Sequence, residues 1–185
     1  MKLTFKNTKI NSLKIIIRDR FENNVGSFER LFCEDQFKNF GLNKKIVQIN
    51  KTNTKVKGSV RGLHYQIPPF SENKIISCIK GKVFDVAIDI RKNSDTFLKW
   101  HGEVLSEDNQ TSIFIPEGFA HGFQALTDDC EMVYFHSAYY NFPSERGILY
   151  NDKRINIDWP LEIKNLSEKD INLLPVTKDF KGIKI

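Results

Sequence analysis

From Lys82 to Ile90 the chain alternates strictly: Phe84, Val86, Ile88 and Ile90 fall on one side of a two-residue period, Asp85 and Asp89 on the other. That pattern fits a strand with one buried and one solvated face, and it does not fit a helix. Comparable runs at 14–17, 45–50, 60–66, 74–79, 100–105, 111–115 and 131–138 read as further strands. They are parted by turn sequences such as Lys57-Gly-Ser59, Lys80-Gly-Lys82 and Glu107-Asp-Asn109. Short strands so closely spaced predict a mainly β sandwich or antiparallel barrel. Helix is confined to two short pieces, one at 34–40 ending at Gly41 and one at 167–173. The more polar stretch from about Asn151 is expected as a C-terminal arm packed on a single domain that spans 1–185.

With 185 residues, 40% of them hydrophobic and 12% aromatic, the chain can close one core. The net charge of +5 comes from scattered lysines with no basic run, which argues against nucleic acid and for a small phosphorylated ligand. Cys33, Cys78 and Cys130 are odd in number and form no CxxC pair, as expected for reduced thiols in the cytoplasm. The apolar run 15–17 is too short for a signal peptide, and no stretch approaches a membrane span.

Two segments carry the chemistry. Val60-Arg-Gly-Leu-His-Tyr-Gln66 and Ile115-Pro-Glu-Gly-Phe-Ala-His-Gly-Phe-Gln124 each set one histidine inside an apolar, strand-like run. Pro116 to His121 matches PxGxxH, the second motif of the cupins, double-sheet barrels of the jelly-roll type. Metal-binding cupins usually add two histidines from HxH in the first motif. Here His64-Tyr65-Gln66 supplies one ligand, short of the three or four a metal needs, so a metal-free site without cofactor is expected. A histidine without metal points to proton transfer beside a carbonyl. Lys74 is expected across a hairpin from His64, where it would stabilise an enolate oxygen. Tyr134 shares a strand face with His136 and is open to two readings, proton donor or core aromatic. His64 as a satisfied core residue, Arg61 as a surface arginine and Asp170 as part of a Ser167-Glu-Lys-Asp170 capping box are the competing readings of those residues. His101 and His136 read as structural, and Phe28, Phe114, Phe119 and Phe123 as core.

The blocks VRGLHYQ, GKVFDVAIDIRKNSDTFLKW, LSEDNQ, FIPEGFAHGF, SERGILYND, INIDWP and LSEKD follow one another from about Phe28 to Asp170. In that order they resemble the dTDP-4-dehydrorhamnose 3,5-epimerases, metal-free cupins that act on nucleotide sugars. The resemblance implies a cupin-type double-stranded β-helix and an isomerase of nucleotide-linked 4-keto-6-deoxy sugars. It implies His64 as the base that removes protons from C3 and C5, Asp170 as its orienting partner, Lys74 as the enolate donor and Tyr134 as the acid. It also implies that Arg61, His121, Glu145 and Lys169 surround sugar and diphosphate, that Gln48 and Asn50 lie near the substrate, and that Tyr139 sits against the base. A homodimer that exchanges N-terminal strands is implied as well, and would cover an otherwise open sheet edge.

Departures from the family gather at the nucleotide end. Asn23-Asn24-Val25-Gly26 stands where members show Asp-x-Arg-Gly, and Arg30, Ser77 and Phe135 replace a usual glutamate, arginine and lysine. Retention of base, acid and oxyanion donor alongside these changes predicts the same reaction on an altered nucleotide or sugar, with Arg30 recovering phosphate contact. The alternatives are a cupin 3,4-ketoisomerase, a silent sugar-nucleotide-binding barrel and a metal-dependent cupin oxygenase.

Overall fold

In the computed structural model, residues 1–40, 42 and 44–185 are described. The strands are β1 (Leu3–Asn7), β2 (Lys14–Arg18), β3 (Arg20–Asn23), β4 (Gly26–Glu29), β5 (Gln48–Thr54), β6 (Val60–Gln66), β7 (Lys74–Lys80), β8 (Lys82–Asp89), β9 (Trp100–Ser106), β10 (Thr111–Ile115), β11 (Phe119–Ala125), β12 (Cys130–His136) and β13 (Glu145–Gly147). Two short helices, α1 (Glu34–Lys38) and α2 (Glu168–Ile171), lie at the periphery. The expected end of the first helix at Gly41 falls outside the described residues.

All strand pairing is antiparallel and builds two sheets that face each other. One runs β1-β2-β10-β7-β12-β5, the other β13-β6-β11-β8-β9, and β3-β4 forms a separate hairpin. This is the cupin-type jelly-roll barrel. Its interior is an apolar cluster that includes Ile76, Ile113, Ile115, Phe119, Phe123 and Met132.

Strand β8 departs from the reading of one wet face. Asp85 and Asp89 are fully buried, because their side of the strand looks into the barrel with Val83 and Ala87. The Phe84, Val86 and Ile88 side is covered too, by Ile155, Ile157, Trp159, Phe180 and Ile183 from the C-terminal segment. Asp89 tolerates burial by accepting bonds from the Arg91 backbone and guanidinium, Ser94 and Thr96. Phe28 is a second departure: it is 67% exposed on the hairpin, while Phe114, Phe119 and Phe123 are buried. Strand β5 begins at Gln48, not Lys45, and its Asn and Thr residues pair with β12 along the full length to Thr54.

Candidate active site

A cavity of about 220 Å³ opens between the sheets. Arg61, His64, Tyr65 and Gln66 on β6, His121 and Phe123 on β11 and Glu145 on β13 line it from one side. Asn50 and Thr52 on β5, Lys74 on β7, and Tyr134 and His136 on β12 line it from the other, with Glu72 and Tyr140 at the rim. Strand period explains most of this, since Tyr134 and His136 are two apart on the inward face of β12 while Val133 and Phe135 turn outward.

Arg61 and His64 are three apart and would point to opposite faces of a regular strand. Gly62 resolves this. It adopts φ +108°, and the pairing of β6 with β11 shifts register between His121 and Phe123. A Cβ at position 62 would lie 2.6 Å from the His121 carbonyl oxygen, so the close approach admits glycine alone.

Lys74 does not face His64 across a hairpin. Strands β6 and β7 belong to different sheets, so the chain crosses the barrel between them and Lys74 enters the cavity from the opposite wall.

His64 Nε2 meets Asp170 Oδ1 at 2.6 Å. Asp170 combines the two roles left open by sequence: its backbone N–H donates to the Ser167 hydroxyl as the helix cap at 3.1 Å, and its buried carboxylate turns to His64. Burial pushes that carboxyl up, but the hydrogen bond and charge of His64 outweigh it and hold the group below its ordinary value. His121 Nε2 lies 2.8 Å from Asp85 Oδ2 in the cavity floor. Tyr134 is buried, with its hydroxyl 3.3 Å from Thr52 Oγ1; burial, reinforced by Asp85, pushes the phenol well above its usual range, against the opposing pull of the Thr52 bond and Arg61.

Of the remaining expected residues, Asn50, Arg61, His121 and Glu145 line the cavity. Lys169 reaches it through Glu145, whose Oε1 it meets at 2.5 Å. For Glu145 burial raises the carboxyl, and Lys169 and Tyr140 more than reverse that. Gln48 stands one step back, donating to Asn50 Oδ1 at 3.3 Å. Tyr139 is 65% exposed and off the cavity wall; its neighbour Tyr140 takes the place and donates its hydroxyl to Glu145 at 2.8 Å. Arg30 lies outside this cavity, half-buried beyond β4, where it donates to the Met1 carbonyl.

Sequence reading missed Glu72, Asp85, His136 and Tyr140. His136 had a usable clue in its two-residue spacing from Tyr134, whereas Glu72 sits in a loop without motif. Among the described residues no cluster of three or more His, Cys, Asp or Glu is arranged to hold a metal ion. A carboxylate-backed imidazole, an ammonium and a phenol converging on one cavity can remove a proton, hold the charge that develops and return a proton.

The family described as dTDP-4-dehydrorhamnose 3,5-epimerase matches residues 7–178. A dTDP-4-dehydrorhamnose 3,5-epimerase of Shigella flexneri is 45% identical over 166 residues, covering 89% of this chain and 91% of the relative. The crystal structure of dTDP-6-deoxy-D-glucose-3,5-epimerase from Legionella pneumophila, in complex with dTDP-4-keto-L-rhamnose, superposes with a TM-score of 0.90 at 39% identity over 94% of this chain and 93% of that one. A 3'-monoepimerase from Streptomyces bikiniensis in complex with dTDP-quinovose gives a TM-score of 0.84 at 26% identity, over 91% of this chain and 85% of its own.

Proposed function

The chain belongs to the dTDP-4-dehydrorhamnose 3,5-epimerase family and is a carbohydrate epimerase, and from that premise we propose how it inverts C3, C5 or both of a nucleoside-diphosphate 4-keto-6-deoxy sugar. The observation that carries the reading is His64 on one sheet, backed by Asp170 from α2, with Lys74 and Tyr134 on the other sheet, the three side chains His64, Lys74 and Tyr134 lining one cavity. His64 takes a proton from the carbon beside the C4 ketone, and Asp170 stabilises the imidazolium that results. Lys74 donates to the enolate oxygen. Tyr134 returns a proton from the opposite face, and the configuration inverts. Arg61, with Asn50 and His121, binds the sugar and diphosphate.

The substrate is proposed as a class because the nucleotide end is altered. Val25, at an arginine position of the family, is 89% exposed at the tip of the β3-β4 hairpin. Ser77 is bonded to Ser112, whose hydroxyl takes the Arg18 guanidinium, and Phe135 packs on Phe32 on the outer face of the sheet. The test is incubation with dTDP-, GDP-, CDP- and UDP-linked 4-keto-6-deoxy sugars in deuterated water, read by NMR. Deuterium at C3 or C5 with inverted configuration supports the proposal. A 3-keto product, or binding without exchange, refutes it in favour of a ketoisomerase or a silent barrel.

We assign the working assembly as a homodimer through the N-terminal strands. Phe21 and Phe28 are 59% and 67% exposed on a hairpin that pairs with no other strand among the described residues, and Ile49 is 61% exposed on an edge strand. Light scattering that returns a monomer contradicts this. The free thiols of Cys33, Cys78 and Cys130 support placement in the reducing cytoplasm. No helix among the described residues is long and apolar enough to cross a membrane.

A further inference from the structure

Three imidazoles face the cavity, and each meets a carboxylate: His64 with Asp170, His121 with Asp85, and His136 with Glu72. The third pair shares its carboxylate with a cation. Glu72 Oε2 takes His136 Nδ1 at 2.7 Å while Oε1 lies 3.3 Å from Lys74 Nζ. Strand register places His136 directly opposite Lys74, and Glu72, two residues before Lys74, folds back over both. All three side chains are nearly buried, at 9% exposure for Glu72, 10% for Lys74 and 12% for His136.

We propose that Glu72 is the positioning residue for Lys74 and His136, clamping the ammonium and the imidazole from one carboxylate. This rests on the reading of Lys74 as the enolate donor. A lysine side chain carries about 2 kcal/mol of rotamer entropy, and an almost buried ammonium is costly unless paired. Glu72 answers both needs. It holds Nζ at a fixed point of the wall, and it is the one ion-pair partner of Lys74 among the described residues. The other charged or titratable groups lining the cavity are Arg61, His64 and Tyr65 on β6, His121 on β11, Tyr134 on β12, Tyr140 and Glu145. On the imidazole side, the bond to Nδ1 turns Nε2 toward Asn50 at 3.4 Å and sets the ring against Tyr134, with centroids 6.1 Å apart and planes 21° from parallel. One carboxylate thus arranges the oxyanion donor and the neighbour of the proposed acid.

The test is Glu72→Gln and Glu72→Asp in the intact chain, with Lys74→Ala alongside, measuring kcat and KM between about pH 6 and 10. Glu72→Gln is expected to lower kcat about tenfold or more while KM moves less than about threefold, because the enolate charge exists only after proton abstraction. Glu72→Asp keeps the charge and restores kcat. Wild-type kcat in Glu72→Gln overturns the inference, as does equal loss of kcat in both variants. Lys74→Ala separates the two levels: wild-type turnover there overturns the role of Lys74 and the inference with it, whereas an inactive Lys74→Ala beside an unchanged Glu72→Gln overturns the inference alone.

Discussion

Replacing Asp170 by asparagine removes one charge and keeps the shape. In the protein its Oδ1 lies 2.6 Å from His64 Nε2, with the carboxylate side chain 2% exposed and the imidazole 30%. The pair becomes a full ion pair only once His64 has taken the substrate proton. At roughly 4 Å between charge centres and an effective dielectric of about 20 the attraction is about 4 kcal/mol. Solvent access to the imidazole lowers this to about 3 kcal/mol. Because that stabilisation appears after proton transfer, its loss slows abstraction by roughly 100- to 200-fold. Initial rates of deuterium wash-in measure the loss. Ser167→Ala is the control, since it removes the cap bond to the Asp170 N–H at a cost of about 1 kcal/mol in stability and keeps the carboxylate. A wild-type rate in Asp170→Asn would refute the assigned partnership.

Tyr134→Phe is expected to impair epimer formation at least tenfold while deuterium wash-in through His64 persists, which product NMR and mass spectrometry resolve together. Asp89→Asn places an amide among donors already committed to a carboxylate, and should cost about 3 kcal/mol and lower Tm by roughly 6 to 12 °C. Glu72, Asp89, Glu145 and Asp170 are all held below their ordinary values, in each case because burial is outweighed by bonded partners. Groups depressed in this way add stability above their unfolded-state values and lose it as pH falls through the folded ones. Tm should therefore hold near neutral pH and decline below about pH 4; a Tm that rises on acidification contradicts the assignment.

The barrel was legible because alternation in β8 and the turn glycines are local properties. What the alternation could not reveal is that both faces of β8 are covered: the C-terminal segment supplies the second cover from more than sixty residues away in sequence. Apolar residues of the hairpin misled for the opposite reason, since Phe28 pairs with Phe21 across the hairpin and stays 67% exposed. At the site, His64, His121 and Tyr134 were legible as polar side chains in strand-like runs. The partners of His121 and His136 were not, because Asp85 and Glu72 reach them through sheet pairing between distant strands. Lys74 was found but placed on the wrong wall, as sequence separation does not tell whether a chain turns back within a sheet or crosses to the facing one.

Loss of solvent exchange in His64→Ala tests the central claim most directly. With a 4-keto sugar that the native enzyme epimerises, in deuterated water, the variant should incorporate no deuterium at C3 or C5 while retaining the folded circular-dichroism spectrum. Incorporation at the native rate would mean that another group removes the proton, and would contradict the assignment of this imidazole as the base.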